Sequence, residues 1–192
     1  MKTVLFVPGF KEDMSSRDYA STIKAIQKKG YRVEYVPIQW QRTTIEDWQN
    51  ELETVYKKYD PKQTILAGFS FGAMTAFVVA SKKSPSALWL FSLSPYFQED
   101  ISSKLMKKWW LTYIGSRRMK AFTRLNFTKL AKKVTCPTTL WIGAEEFEKW
   151  SIMKKRARKA HTVLQKSKLV VIEGIGHDVA DKKYIEAIVG NI

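Results

Sequence analysis

Short apolar runs separated by longer amphipathic stretches constrain this chain more than any other feature. Val4–Val7 ends at Pro8-Gly9 and reads as a strand; Val33–Ile38, Thr64–Ala67, Ala87–Leu93, Thr138–Ile142 and Lys168–Ile172 read as further strands. Helical patterns lie between them. Ser15 or Ser16 can cap a helix to about Lys29, with Tyr19, Ile23 and Ile26 inward and Gly30 as its stop. Thr43 or Thr44 starts a helix carrying Ile45, Trp48, Leu52, Val55 and Tyr56 on one face, closed by Asp60-Pro61. Gly72–Ser81 is a helix full of small residues, and helices near Ile152–Gln165 and Lys182–Val189 follow the last two strands. Strands that are apolar along their whole length need cover on both faces, which alternating strand and helix supply with parallel pairing. The predicted class is α/β, a three-layer sandwich with a mostly parallel six-stranded sheet and helices on both faces.

With 192 residues the chain can bury about two-thirds or more of its unfolded surface, so one domain over residues 1–192 is expected. One connection breaks the rhythm. Over forty residues, Ser94 to Pro137, join the fourth strand to the fifth and include Tyr96, Phe97, Trp109, Trp110, Tyr113, Phe122 and Phe127. Compact domains rarely tolerate so long a connection unless it folds, and residues 96–134 are expected to form a helical insert. The formal net charge of +15 is concentrated: Lys104 to Lys133 holds ten Lys/Arg and Lys149 to Ile172 eight, neither with an acid. Such a field attracts nucleic acid, anionic lipid or an acidic substrate, or serves solubility alone; no recognised nucleic-acid motif accompanies it. The single cysteine, Cys136, has no Cys/His cluster around it, which fits a reducing compartment, argues against structural zinc and suggests a small buried group. No run reaches the length of a membrane span, and Val4–Val7 is too short for a signal-peptide core, so the expected location is the cytoplasm.

Between the third strand and the small-residue helix stands Gly68-Phe69-Ser70-Phe71-Gly72. In a strand-turn-helix context, G-x-S-x-G sets a serine on a tight, strained turn, and the glycines let neighbouring backbone come close. The hydroxyl is lifted above the sheet, and the positive end of the following helix faces it. The segment resembles the nucleophile elbow of the α/β-hydrolase superfamily, and the resemblance extends over essentially the whole chain as a minimal version of that fold. It implies a serine hydrolase with the Phe71 amide as one oxyanion donor. Side chains beside the serine must point away from the hydroxyl, so Phe69 is expected to pack beneath it and Phe71 to line the rim of an acyl pocket.

A serine hydroxyl needs a base, and the chain has only two histidines. His161 lies mid-helix in a basic stretch and reads as a surface residue. His177 lies in the glycine-flanked loop Gly174-Ile175-Gly176-His177 after the sixth strand, where members of the superfamily carry the catalytic histidine. The family's acid follows the next-to-last strand, and in Cys136 to Glu146 the same layout puts Glu146 on that position. Glu145 is the second choice, and an acid after the preceding strand would be Glu99 or Asp100. The other oxyanion donor in the family comes from the loop after the first core strand, here Val7-Pro8-Gly9-Phe10-Lys11, which makes the Phe10 amide the candidate.

In the family the segment between the fourth and fifth strands forms a lid. Ile101, Leu105, Met106, Trp109, Trp110 and Tyr113 recur at spacings of three and four, an apolar stripe with lysines opposite. Met106, Trp109 and Trp110 are the substrate-binding candidates, and an ester or thioester with an apolar portion is the expected substrate. No cofactor and no metal is called for. The alternative is a non-catalytic binding protein on a hydrolase fold, its basic insert resting on anionic lipid or nucleic acid.

Overall fold

The computed structural model describes residues 1–16, 19–101 and 112–192. Strands β1 (Thr3–Val7), β2 (Arg32–Tyr35), β3 (Thr64–Phe69), β4 (Ala87–Phe91), β5 (Thr138–Gly143) and β6 (Ser167–Ile172) form one sheet in the order β2-β1-β3-β4-β5-β6, and every adjacent pair is parallel. The register sets Val7 opposite Gly68, Phe69 opposite Phe91 and Phe91 opposite Trp141, so the carboxyl ends of the central strands lie level.

Alternation along each strand divides the core in two. Leu5 and Val7 of β1, Leu66 of β3 and Leu88 and Leu90 of β4 face one side, which is covered by α2 (Ile45–Tyr56), α3 (Phe71–Ala80) and the insert. Val4, Phe6, Ile65, Ala67, Phe69, Trp89, Phe91 and Trp141 face the other, covered by α1 (Tyr19–Lys28) and the C-terminal helix Lys182–Val189. Trp48, Trp141, Phe6, Phe77 and Phe91 are among the largest fully buried side chains, each contributing about 1.5–3 kcal/mol of transfer free energy. Every residue of α3 is buried, which is why this helix is apolar on all sides rather than on one stripe.

The expected insert between β4 and β5 is helical in its described parts: α4 (Gln98–Ile101), α5 (Ser116–Phe122) and α6 (Phe127–Ala131). The Phe127 ring stacks on Phe77 of α3 at 4.7 Å. The Arg118 guanidinium donates to the carbonyls of Trp40 and Thr43. Arg156 pairs in the interior with Asp100, its Nε 2.8 Å from the carboxylate. After β5 come α7 (Ala144–Lys149) and α8 (Ser151–Val163), and α9 (Lys182–Val189) closes the chain.

Several boundaries differ from the sequence pattern, each for a local reason. The second strand stops at Tyr35 rather than Ile38; Val36 and Ile38 are apolar because they are buried beside α2 and α3 as loop residues. The fourth stops at Phe91 rather than Leu93 because Ser92 turns the backbone to a φ of 49°. The described length of the first helix begins at Tyr19, after a turn in which the Ser15 and Ser16 backbone N–H groups both donate to the Asp13 carboxylate; the start that Ser15 or Ser16 would cap lies outside the described residues. The short helix α7 has no counterpart in the sequence pattern.

Candidate active site

Ser70 links β3 to α3 with φ 57° and ψ −114°, a conformation that costs a non-glycine residue about 1–3 kcal/mol. The ladder holds it there. Its N–H donates to the Phe91 carbonyl at 2.9 Å, and its carbonyl accepts the Met74 N–H at 3.2 Å as the helix begins. A methyl group on Gly72 would sit 2.3 Å from the carbonyl oxygens of Val7 and Pro8, and one on Gly68 would sit 2.3 Å from the Gly72 backbone. The two glycines therefore let three backbone segments meet beneath the serine. Its hydroxyl makes no capping bond to the helix and is left to its neighbours.

The loop after β6 brings His177 over the sheet. Gly143, at the end of β5, has the Ile175 carbonyl where a Cβ would stand, at 2.2 Å, and the Glu145 N–H donates to that same carbonyl at 3.0 Å. The imidazole packs on Phe69 at a ring separation of 4.6 Å and edge-on to Trp150 at 6.0 Å. Its Nε2 is 3.1 Å from Ser70 Oγ and its Nδ1 2.7 Å from Glu146 Oε2, with a quarter of the side chain exposed.

Glu146 is fully buried at the third position of α7. A buried carboxylate is costly unless its lone pairs are taken, and here three donors converge: the Gly143 N–H at 2.9 Å, the Ser92 hydroxyl at 2.6 Å and His177 Nδ1. The helix N-terminus favours the same negative charge. Since an ionised carboxylate can only accept, the 2.7 Å contact fixes the proton on Nδ1 and leaves Nε2 as the acceptor for the Ser70 hydroxyl. Behind Ser92 the Tyr184 hydroxyl is 3.0 Å away and donates to the Trp141 carbonyl. Burial, with the Glu146 charge adding to it, pushes the Tyr184 phenol well above its ordinary pKa and keeps it protonated.

Phe71 is the first residue of α3, where backbone N–H groups have no intrahelical acceptor. Among the described residues, neither its N–H nor that of Phe10 has a hydrogen-bond acceptor. The Phe10 loop is tied down by the Gly9 N–H donating to the Tyr19 hydroxyl, which itself donates to the Glu12 carboxylate, and by Trp40 Nε1 donating to the Glu12 carbonyl. The rings of Phe10 and Phe71 lie 5.1 Å apart, and Phe71 stacks on Tyr96 at 4.8 Å. Phe69 lies beneath the imidazole, fully buried. Phe71, only 5% exposed, is a member of an aromatic cluster with Trp48 and Phe122.

Ser70, His177 and Glu146 are thus brought together by hydrogen bonds, and of the other candidate acids Glu99 and Asp100 are held elsewhere. Glu145 is exposed on the outer side of α7. Glu99 accepts the N–H groups of Phe127 and Thr128 at the start of α6, and Asp100 is committed to Arg156. His161 is exposed on α8 beside Ser167. Cys136 is buried, and burial pushes its thiol pKa up. Met106, Trp109 and Trp110 lie outside the described residues. Sequence reasoning missed Ser92 and Ser94, which flank the site from the loop after β4; two hydroxyls interrupting Phe91-Ser92-Leu93-Ser94 were the available signal. Among the described residues there is no group of three or more His, Cys, Asp or Glu side chains able to hold a metal ion, and no helix is long and apolar enough to cross a membrane.

No family model and no curated protein sequence matches the chain. Solved structures do. Est1E from Butyrivibrio proteoclasticus superposes with a TM-score of 0.78 at 15% identity, over 98% of this chain and 84% of that one. The chain has the α/β-hydrolase fold. MenH from S. aureus shares that fold with a TM-score of 0.69 at 19% identity, over 98% of this chain and 92% of its own. A carboxylesterase structure from the Thaumarchaeon Nitrososphaera gargenis shares it with a TM-score of 0.72 at 12% identity, over 98% and 89%. On this α/β-hydrolase fold the sheet is entirely parallel, where the sequence pattern required only a mostly parallel one.

Proposed function

We propose that the chain is a serine hydrolase that cleaves a carboxylic ester or thioester through an acyl-enzyme intermediate. Ser70 is the nucleophile, His177 the general base and then acid, and Glu146 the group that holds the imidazole tautomer and stabilises the imidazolium. The Phe71 and Phe10 amides receive the oxyanion. One observation carries the reading: the unbroken chain from Ser70 Oγ through His177 to Glu146, at 3.1 and 2.7 Å.

In acylation the Ser70 oxygen attacks the carbonyl carbon as its proton passes to Nε2. The tetrahedral intermediate then collapses and the leaving group takes that proton. Water repeats the sequence on the acyl-enzyme, with His177 as base and then acid. The mutually packed rings of Phe10, Phe71 and Tyr96, with Phe71 directly following Ser70, suit a substrate with an apolar portion. Est1E has a structure with ferulic acid bound, and an aromatic acid of that kind is a fitting acyl group to test here. Met106, Trp109 and Trp110 complete the substrate site in this proposal.

Covalent labelling by a fluorophosphonate, lost in Ser70→Ala, tests the reading. Turnover of p-nitrophenyl esters graded by chain length then reports the acyl pocket. A folded wild-type chain that takes no label and turns over no ester refutes it.

A further inference from the structure

The reaction as proposed uses one side of the Ser70 oxygen, and the other side is also occupied. Ser94 Oγ lies 3.0 Å from Ser70 Oγ, and the Ser94 N–H faces the Ser70 carbonyl at 3.4 Å. Ser94 is 3% exposed, and among the described residues Ser70 Oγ is the only hydrogen-bond partner of its hydroxyl. The direction of that bond follows from Glu146. Because Nδ1 carries the imidazole proton, Nε2 accepts, and the single Ser70 proton is committed to His177. Among the described residues the Ser94 proton then has one acceptor within reach, the Ser70 oxygen itself.

We propose that Ser94 is a catalytic hydroxyl that donates to the Ser70 oxygen and stabilises the charge this atom carries when it attacks and when it leaves; the inference rests on the serine-hydrolase reading above. A serine oxygen has two lone pairs. Ser94 takes one, and the other is left to attack. As the bond from Ser70 Oγ to the carbonyl carbon forms, the Ser70 O–H bond breaks toward Nε2 and the carbonyl electron pair moves onto the oxyanion. On deacylation the bond from the acyl carbon to Ser70 Oγ breaks, the oxygen leaves with the electron pair, and His177 returns a proton to it. Ser94 keeps its own proton throughout. Its bond is strongest where the acceptor bears negative charge, and weak to the ester oxygen of the acyl-enzyme, so the gain falls on the transition states of both half-reactions.

A purely structural hydroxyl would brace the turn and leave both rates unchanged. The test therefore measures two rates in Ser94→Ala, beside wild type and Ser70→Ala: the second-order rate of fluorophosphonate labelling, which reports attack alone, and steady-state kcat on a p-nitrophenyl ester. Both are expected to fall about 10- to 100-fold, the loss of one hydrogen bond to a charged group, with circular dichroism and melting temperature close to wild type. Ser94→Cys keeps the shape with a weak donor and is expected to lose nearly as much. Wild-type rates of labelling and turnover in folded Ser94→Ala overturn the proposal; if that variant does not fold, wild-type rates in Ser94→Cys do so. A failure of the underlying reading looks different: the wild-type chain itself takes no label, or Ser70→Ala takes as much.

Discussion

Replacing Glu146 by glutamine removes one charge and almost no volume, and the geometry leaves the amide no good orientation. The carboxylate receives the Gly143 N–H and the Ser92 hydroxyl on Oε1 and His177 Nδ1 on Oε2. If the amide oxygen takes the Oε1 position, the NH2 group faces Nδ1, and the imidazole can meet it only by moving its proton to Nε2. The Ser70 hydroxyl, 3.1 Å from Nε2, then confronts a donor and loses its base. If the amide is turned over, the tautomer survives, but an NH2 group stands 2.9 Å from the Gly143 N–H, two donors face to face in a site with no exposure. An unpaired buried donor costs about 1–3 kcal/mol, so the first orientation, where Ser92 and Gly143 keep their acceptor, is the one adopted. The expected fall in kcat is about 10³- to 10⁴-fold, some 4–5.5 kcal/mol of transition-state stabilisation. The assay is steady-state hydrolysis of the best p-nitrophenyl ester, with Glu145→Gln as a control that leaves kcat unchanged because Glu145 is exposed and His177 Nδ1 is paired with Glu146. A kcat within tenfold of wild type in folded Glu146→Gln refutes the tautomer argument, and a large loss in Glu145→Gln instead transfers the role to its neighbour.

Gly72→Ala places a methyl group 2.3 Å from two backbone carbonyls that cannot swing aside; a loss of about 1–3 kcal/mol or more by denaturant titration is expected, and an unchanged midpoint contradicts the packing described here. Ser92→Ala strips one of three donors from Glu146 and is expected to lower kcat about 10-fold with little change in KM. Alkaline stability follows from the tyrosines. Burial raises the phenols of Tyr35, to about 12 with the nearby Asp13 and Glu12 charges assisting, and of Tyr184 well above its usual value. The native chain therefore holds those protons more tightly than the unfolded one, so the stabilisation is complete below about pH 10 and disappears as pH climbs through the native values. Urea titrations between neutral pH and pH 11 are expected to show a falling midpoint, less steep in Tyr184→Phe once its lower starting stability is subtracted.

The fold was legible because its strands announce themselves locally: runs such as Val4–Val7 and Ala87–Phe91 are apolar end to end, and only a sheet covered on both faces accepts that. Ser70 and His177 were legible for a related reason, since each sits in a glycine-marked turn directly after a strand. Glu146 against Glu145 was a different matter. Adjacent residues on a helix point about 100° apart, so the choice depends on where α7 begins, and that is set by Gly143 and its close contact with the Ile175 carbonyl, far away in the chain. Ser92 and Ser94 stood out as hydroxyls in an apolar run, but their partners were hidden for the same cause. Their partners are Glu146 and Ser70, joined to them only by the side-by-side pairing of β3, β4 and β5. Local pattern carries element type, whereas non-local register carries hydrogen-bond partners.

Topology explains why the site stands where it does. The chain runs from β1 outward to β2, then returns to β3 on the other side of β1 and proceeds through β4, β5 and β6. The loops leaving β1 and β3 therefore diverge from adjacent strand ends, and an open α/β sheet has its crevice at such a reversal. Phe10 follows β1 and Ser70 follows β3, so the residues proposed as oxyanion donor and nucleophile leave the sheet from adjacent strand ends. Moving outward, β4 contributes Ser92 and Ser94, β5 contributes Glu146, and β6, at the far edge, contributes His177. His177 must cross two intervening strand ends to touch Ser70, and that demand falls on the end of β5, where the histidine loop passes within contact of the backbone. Gly143 has no side chain because the Ile175 carbonyl occupies its place. A methyl group there would lift the loop from the sheet, and the 3.1 Å contact between His177 and Ser70 would lengthen while Ser70, fixed by its own strand, stayed where it is.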